Sequence, residues 1–536
     1  MPSYRYDRLS AQDLTFLLAE DEHSPMHVGA IAIVEAEPLF CGGDSVDIAG
    51  YRRSIESVLH WIPRYRQKLD YVPLEGWPVW VDDRHFDLGY HIRHIALPSP
   101  GTLEQLNELS ARILARHLDR RRPLWELWVI EGLHDGEQVA LLNKVHHCMI
   151  DGAAGADLSQ ILLSPSARVE DADPLPYYPR PAPSGLELLE ESLRGRLAAP
   201  RRLLETLGGW LQPGEEALVS RAELAARSLR DRAMALGSFG SWALKPASGT
   251  PINGELTPHR RLGWLTMPLD DVREVRRALG CTINDVVLTI VTGALRRYFF
   301  RRRVDPATLD FRISAPVNVR RDEHANKLGN HVSSWILPLP LDLPEPFDQL
   351  EAIRARTTAL KESKSSLAIE TLMAAAEYLP VRLLERGVSL AKGPVNMIVT
   401  NVPGPQFPLY ARGARLLGMY PVVPLMPGSG LGVALFSYEG KLCWGFNADY
   451  ELVPNLPDFV ADVRASFEEL RAAVASGFVE RRTTKKPDTH ERGSSAPAED
   501  PPNLHVASAA RRGGSRAAPG EDASVAAGTV APSLPG

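Results

Sequence analysis

The chain has little cysteine: four residues in 536, Cys41, Cys148, Cys281 and Cys443, scattered and without a CxxC pair. That spacing excludes a zinc ribbon, offers no disulfide framework and fits a reducing cytoplasm. There is no basic excess either. The formal net charge is −6 and no Lys/Arg stripe is interleaved with aromatics, which argues against a nucleic-acid binder. Long apolar runs are missing as well. The richest stretches are interrupted by Asn284 and Asp285, or by Lys144 and the histidines after it, and none reaches the roughly 18–20 uncharged residues of a spanning helix. The first 23 residues carry acids on both sides of their one short apolar run, so they do not form a signal peptide. No GxSxG elbow is present to supply a lipase-type serine. Gly428-Ser-Gly-Leu-Gly432 lacks the third glycine of a dinucleotide loop and leads into a strand-like run, so it predicts a turn before a hairpin.

What is present is ordinary globular composition, 44% apolar and 24% charged, in a chain too long for a single core. The sequence divides into a first segment, 1–163, a proline-rich crossing and helical linker, 164–259, a second segment, 260–477, and a tail, 478–536. Val28 to Val34 reads as a buried strand, and Leu103, Leu106, Leu109, Ile113, Leu114 and Leu118 share one helical face. Gln138 to Val145 is a strand running into His146 and His147, and Asp151 is placed to N-cap a following helix. In the linker, Leu186, Leu188, Leu189, Leu193 and Leu197 are spaced for an amphipathic helix that covers the body or touches a lipid surface, the covering role being the simpler. In the second segment Thr282 and Asp285 have capping-box spacing ahead of an apolar helix. Strands are expected at 311–315, 332–337 and 397–400, and a hairpin turning at Glu439-Gly440. Phe459, Val460, Val463, Phe467 and Leu470 mark a last helix. The tail has no aromatic residue after Phe478 and is expected to be disordered.

The chemistry-bearing segment is Lys144-Val-His-His-Cys-Met-Ile-Asp-Gly-Ala-Ala-Gly155. Histidine has an unperturbed pKa of about 6.5, so near neutrality it can take a hydroxyl proton and return it elsewhere. Neighbours on a strand point to opposite faces, so only one of His146 and His147 can face a given cleft. Asp151 can orient an imidazole or pair with an arginine to hold the turn, and Gly152 permits backbone shapes closed to other residues. A metal set of His146, His147, Cys148 and Asp151 is disfavoured, because contiguous ligands do not converge from one strand and no second cluster has ligand spacing. Cys148 has apolar neighbours and reads as a packing residue.

The run HHCMIDG resembles the HHxxxDG motif of the coenzyme A-dependent acyltransferase superfamily. Further likenesses narrow it to the bacterial wax ester synthase/diacylglycerol acyltransferase family: Pro25-Met-His-Val-Gly29, Pro123-Leu-Trp-Glu-Leu127, Asn284-Asp-Val-Val-Leu288 with Gly293-Ala-Leu-Arg296, and Thr400-Asn-Val-Pro-Gly-Pro405. They occur in matching order over roughly 5–475. The resemblance implies an α/β fold of two acyltransferase-like subdomains with mixed sheets, a tunnel between them and a helical linker. It implies His147 as catalytic base with His146 in support, Asp151 chiefly architectural with Arg320 as its candidate partner, and Asn284 as a residue needed for activity. Glu20 stands where the family has a functional acid. Asn284 and Asp285 also have the simpler reading of helix capping.

The expected reaction is acyl transfer from acyl-CoA, a substrate rather than a cofactor, to diacylglycerol or a long-chain alcohol, at a membrane or lipid-inclusion surface that the protein touches peripherally. Thiolate is a good leaving group, so no covalent intermediate is required. His147 deprotonates the attacking hydroxyl, and Asn284 is a candidate donor to the oxyanion. Two rival readings are a condensation-type acyltransferase, against which no carrier domain follows, and a catalytically weak lipid-binding scaffold, against which His147, Asp151 and Asn284 are intact.

Overall fold

The structure is a computed structural model that describes residues 6–149, 161–169, 172–194, 246–318, 332–362, 376–377, 379–390 and 395–476. Asp151, Gly152 and Arg320, most of the linker helix and the tail lie outside the described residues.

Two mixed six-stranded sheets organise the molecule. The first runs Tyr410–Ala411, Ala414–Val422, His27–Glu35, Gln138–His146, Trp125–Leu133, Ile92–Ala96, antiparallel except for its last pair. Its side chains alternate with period two. Ile31, Ile33, Ala140 and Leu142 pack toward helix Leu103–Ala115, while Ala32, Val34, Val139 and Leu141 pack toward helix Ile48–Val58. Both faces are covered, which is why His27–Glu35 reads as a continuous apolar run. Thr102 and Gln105 form a capping box that starts the Leu103–Ala115 helix.

The second sheet runs Val332–Pro338, Arg312–Asn318, Met397–Pro403, Leu431–Tyr438, Lys441–Asp449, Arg260–Pro268. Met397–Pro403 is parallel to both of its neighbours and the remaining pairs are antiparallel. Helices Ile283–Arg301 and Leu456–Ala475 bury Val287, Ile290, Val291, Phe459, Val463 and Phe467 in the core that also takes Val433, Leu435, Trp444 and Phe446 from the strands. The expected hairpin turns at Glu439 and Gly440, both with positive φ, 42° and 72°, as a two-residue turn requires.

The two sheets do not part at one point in the sequence. Ala414–Val422 leaves the second segment and pairs along His27–Glu35, so the first sheet is completed from beyond residue 260. Where this strand passes the second sheet, a Cβ on Gly445 would stand 1.8 Å from the Pro421 carbonyl oxygen. Only glycine fits that approach.

The proline-rich stretch lies on the first half of the chain. Tyr177 Oη donates to Arg66 O at 3.1 Å, Arg180 bonds Asp82 at 2.7 and 2.9 Å, and Ser164 bridges to Tyr410. The helix that follows, described to Arg194, turns only part of its expected apolar face to the body. Leu188 is buried, but Leu186 is 80% exposed and Leu193 50%. No single described helix is long and apolar enough to cross a membrane; Leu269–Leu279 and Ile283–Arg301, taken together, are bent by 100°.

Candidate active site

Strand Gln138–His146 ends one residue before His147, which opens a short 3-10 turn, His147–Met149. The backbone of each histidine is held by a different segment. His146 N–H donates to Leu124 O at 2.9 Å, and His147 N–H to Met26 O at 2.8 Å. Two of the sequence likenesses, around Met26 and around Leu124, therefore flank the histidine pair from the two neighbouring strands.

His146 is buried, and its ring is fixed at both nitrogens. Cys148 N–H donates to Nδ1 at 3.1 Å, so the proton of the neutral ring sits on Nε2 and is given to Glu20 Oε2 at 3.1 Å. Burial lowers its basicity more than the Glu20 contact raises it. Its cross-strand partner His27 is pushed well below the ordinary imidazole value by burial, and further by the Lys144 charge. Lys144 faces helix Leu103–Ala115, where its ammonium bonds Ile113 O at 2.9 Å and Arg116 O, closing the helix C-terminus. Burial pushes it down to about 8.

Glu20, the C-cap of helix Ala11–Ala19, is the hub. Its carboxylate accepts from Met26 N–H at 3.0 Å, Arg120 at 2.8 Å and His146, with His117 Nδ1 at 3.4 Å and His27 Nε2 at 3.8 Å. Burial works against the charge, but the bonds from His117 and His146 more than offset it and hold Glu20 well below the usual carboxylate range. His117 is raised, first by its bond to Glu20; its other nitrogen meets Glu22 O at 3.2 Å, so both ring nitrogens face acceptors.

His147 is half-buried, unlike His146. Its imidazole stacks on the ring of Phe16, centroids 3.7 Å apart and planes within 14°. No local signal in the sequence marks this contact, because the two residues are far apart in the chain.

Asn284 and Asp285 lie in a second cluster, at the start of helix Ile283–Arg301. Thr282 is the N-cap and Asp285 completes the expected capping box with it, while the other Asp285 oxygen accepts from Thr357 Oγ1 at 3.0 Å. Asn284 does not cap. It is exposed, and its Oδ1 accepts from Asn401 Nδ2 at 2.7 Å, joining the NDVVL and TNVPGP segments. That bond leaves the Asn284 NH2 as the donating end of the side chain. Cys148 is buried with its thiol pushed well up, first by burial, so it packs as expected. Among the described residues no group of three or more His, Cys, Asp or Glu is placed to hold a metal ion. A cleft of about 660 Å³ opens at the residues after Glu20, lined by Asp21, Glu22, His23, Glu255 and Asn396 among others; its three carboxylates make it unsuited to a polyphosphate.

The arrangement of segments in this chain has known counterparts. The pattern of the wax ester synthase/diacylglycerol acyltransferase catalytic domain matches residues 9–287, and that of the WS/DGAT C-terminal domain matches 328–471. A probable diacylglycerol O-acyltransferase, tgs1, of Mycobacterium tuberculosis is 34% identical over 484 residues, 89% of this chain and 98% of that protein. The wax ester synthase/diacylglycerol acyltransferase of Marinobacter aquaeolei VT8 superposes with a TM-score of 0.59 at 26% identity, covering 87% of this chain and all of the other. The starter condensation domain of rhizomide synthetase, solved with C8-CoA and Leu-SNAC, shares the fold at a TM-score of 0.54 and 15% identity, covering 88% and 94%. With both domain patterns matched in order, and with the tuberculosis relative 34% identical across 89% of this chain, the chain belongs to the wax ester synthase/diacylglycerol acyltransferase family.

Proposed function

We propose that this acyltransferase esterifies diacylglycerol with the acyl group of acyl-CoA, with His147 as the general base; a long-chain alcohol is the second acceptor. The observation that carries the assignment is the contrast within the histidine pair. His146 is buried and held between Glu20 and Cys148 N–H, whereas His147 is half-buried, within reach of an incoming substrate, on a turn whose backbone is fixed from Met26. His147 removes the proton of the acceptor hydroxyl as its oxygen attacks the thioester carbonyl. The new C–O bond leaves a tetrahedral oxyanion, for which the Asn284 NH2, set by Asn401, is the proposed donor. Collapse breaks the C–S bond, and the proton passes from His147 to the departing thiolate. Asp151, Gly152 and Arg320 keep their expected roles in shaping the turn after the histidines, as proposals from the motif alone. The acceptor is insoluble in water, so the reaction is assigned to the surface of a membrane or lipid inclusion, reached peripherally from the cytoplasm.

The test is purified protein with labelled acyl-CoA and either diacylglycerol or a fatty alcohol, each presented in mixed micelles. Labelled triacylglycerol, formed faster than wax ester, supports the reading. Wax ester alone would reverse the order of acceptors, and no ester with either would favour a lipid-binding scaffold.

A further inference from the structure

Helix Ala11–Ala19 has a core face that Phe16 does not share. Ala11, Leu14 and Leu17 are buried with Leu9, Leu69, Trp77 and Val79. At 3.6 residues per turn, Phe16 and Glu20 lie one turn apart on another face, about 140° round from that stripe. The two side chains of this second face meet the two histidines in turn: Glu20 bonds the His146 ring, and Phe16 stacks on the His147 ring at 3.7 Å. An aromatic residue placed off the core face of its helix is explained by what it covers.

We infer that Phe16 is a positioning residue for the reaction: its ring face holds the His147 imidazole in one plane and stabilises the cation that this imidazole becomes. The inference rests on His147 being the base. To act as the base the ring starts neutral. When the hydroxyl proton moves from the acceptor oxygen to the ring nitrogen, the ring acquires a full positive charge directly over the negative face of a phenyl ring. That attraction is stronger after the transfer than before it, so it lowers the barrier and leaves ground-state binding alone. When the C–S bond breaks, the proton goes to the thiolate sulfur and the ring is neutral again. The stack covers a face of the imidazole and leaves the proton to be taken in the ring plane, along the nitrogen lone pair at the ring edge.

The experiment replaces Phe16 with phenylalanines carrying one, two and three ring fluorines, which keep the shape but drain the ring face of negative charge. Phe16→Leu, which removes the face, and His147→Ala are measured beside them in the full chain. The expected result is a kcat that falls with each fluorine and is down about tenfold in Phe16→Leu. KM for acyl-CoA and for the acceptor, and the melting temperature of the fluorinated series, stay unchanged. A flat kcat across the series, or a change confined to KM, overturns the inference while an inactive His147→Ala leaves the base assignment standing. Turnover retained in His147→Ala removes the base assignment instead, and with it the premise for Phe16.

Discussion

Glu20→Gln keeps the size of the side chain and removes its charge, and the geometry says what that costs. The carboxylate serves two sides: Oε2 accepts from Met26 N–H and His146 Nε2, and Oε1 from Arg120, with His117 adjacent. Glutamine has one oxygen and an NH2 group, so one side must meet a donor with a donor. The oxygen turns inward, because His146 and Met26 are buried, while Arg120 and His117 are about 40% exposed and can turn to water. A bond to a charged acceptor contributes about 1.5–3 kcal/mol, against about 0.5–1.5 for a neutral one. The two inner bonds therefore weaken by about 1 kcal/mol each, and the outer, screened pair adds little, for a loss of about 2–3 kcal/mol. Because Glu20 holds Met26 N–H and Met26 O holds His147 N–H, the base shifts with it, and kcat falls about tenfold. Urea unfolding at pH 7 measures the first and steady-state acyl transfer the second. A depressed carboxylate pKa gives stability that is full above the unfolded value of about 4.3 and lost as pH falls through the lower folded one, so the gap between wild type and variant narrows below about pH 4. Unfolding within about 0.5 kcal/mol of wild type at pH 7 would refute the role of this hub.

Three other perturbations probe separate parts of the molecule. His91 stacks on Trp125, donates Nδ1–H to Trp125 O at 2.7 Å, and is pushed down to about 4 by burial. The unfolded chain therefore takes up the extra proton first as pH drops, and up to about 3 kcal/mol of stability drains between about pH 6.5 and 4; His91→Gln should flatten that slope in pH-dependent unfolding. Gly445→Ala drives a Cβ into the Pro421 carbonyl, backbone that no rotamer change relieves, and should cost about 3 kcal/mol or more, read as a lowered melting temperature. Asn401→Ala frees the Asn284 side chain and should lower kcat severalfold with KM unchanged, whereas Asn284→Ala should cost about 10²–10³ in kcat if it is the oxyanion donor.

The local signals were the ones the sequence carried well. Alternation and helical spacing found His27–Glu35, Gln138–His146, the Glu439-Gly440 hairpin and the Thr282 capping box, because each is set by neighbours within a few residues. What it did not carry is long-range. Ala414–Val422 has a strand's composition, but nothing local says that it pairs with His27–Glu35 rather than with the strands beside it in sequence. Glu20 lies 126 residues from His146, and Phe16 is similarly remote from His147, so the contacts that orient both imidazoles exist only once the helix is packed. Lys144 was legible only as an interruption. A charge inside an apolar strand demands partners, and the structure supplies them at the C-terminus of the neighbouring helix. Leu186 and Leu193 show a related limit of local spacing, which identifies an apolar face but not what that face meets.

The central claim, that His147 moves the proton while His146 holds the site, is tested most directly by the pair His147→Ala and His146→Ala in one acyl-transfer assay, with unfolding followed on the same samples. The account predicts that His147→Ala loses turnover by at least about 10³-fold with a normal unfolding midpoint. It predicts that His146→Ala, which leaves Glu20 and Cys148 N–H short of a partner, unfolds earlier by about 1–3 kcal/mol but keeps measurable turnover. Substantial turnover in His147→Ala, or total loss in His146→Ala with unchanged unfolding, would contradict it.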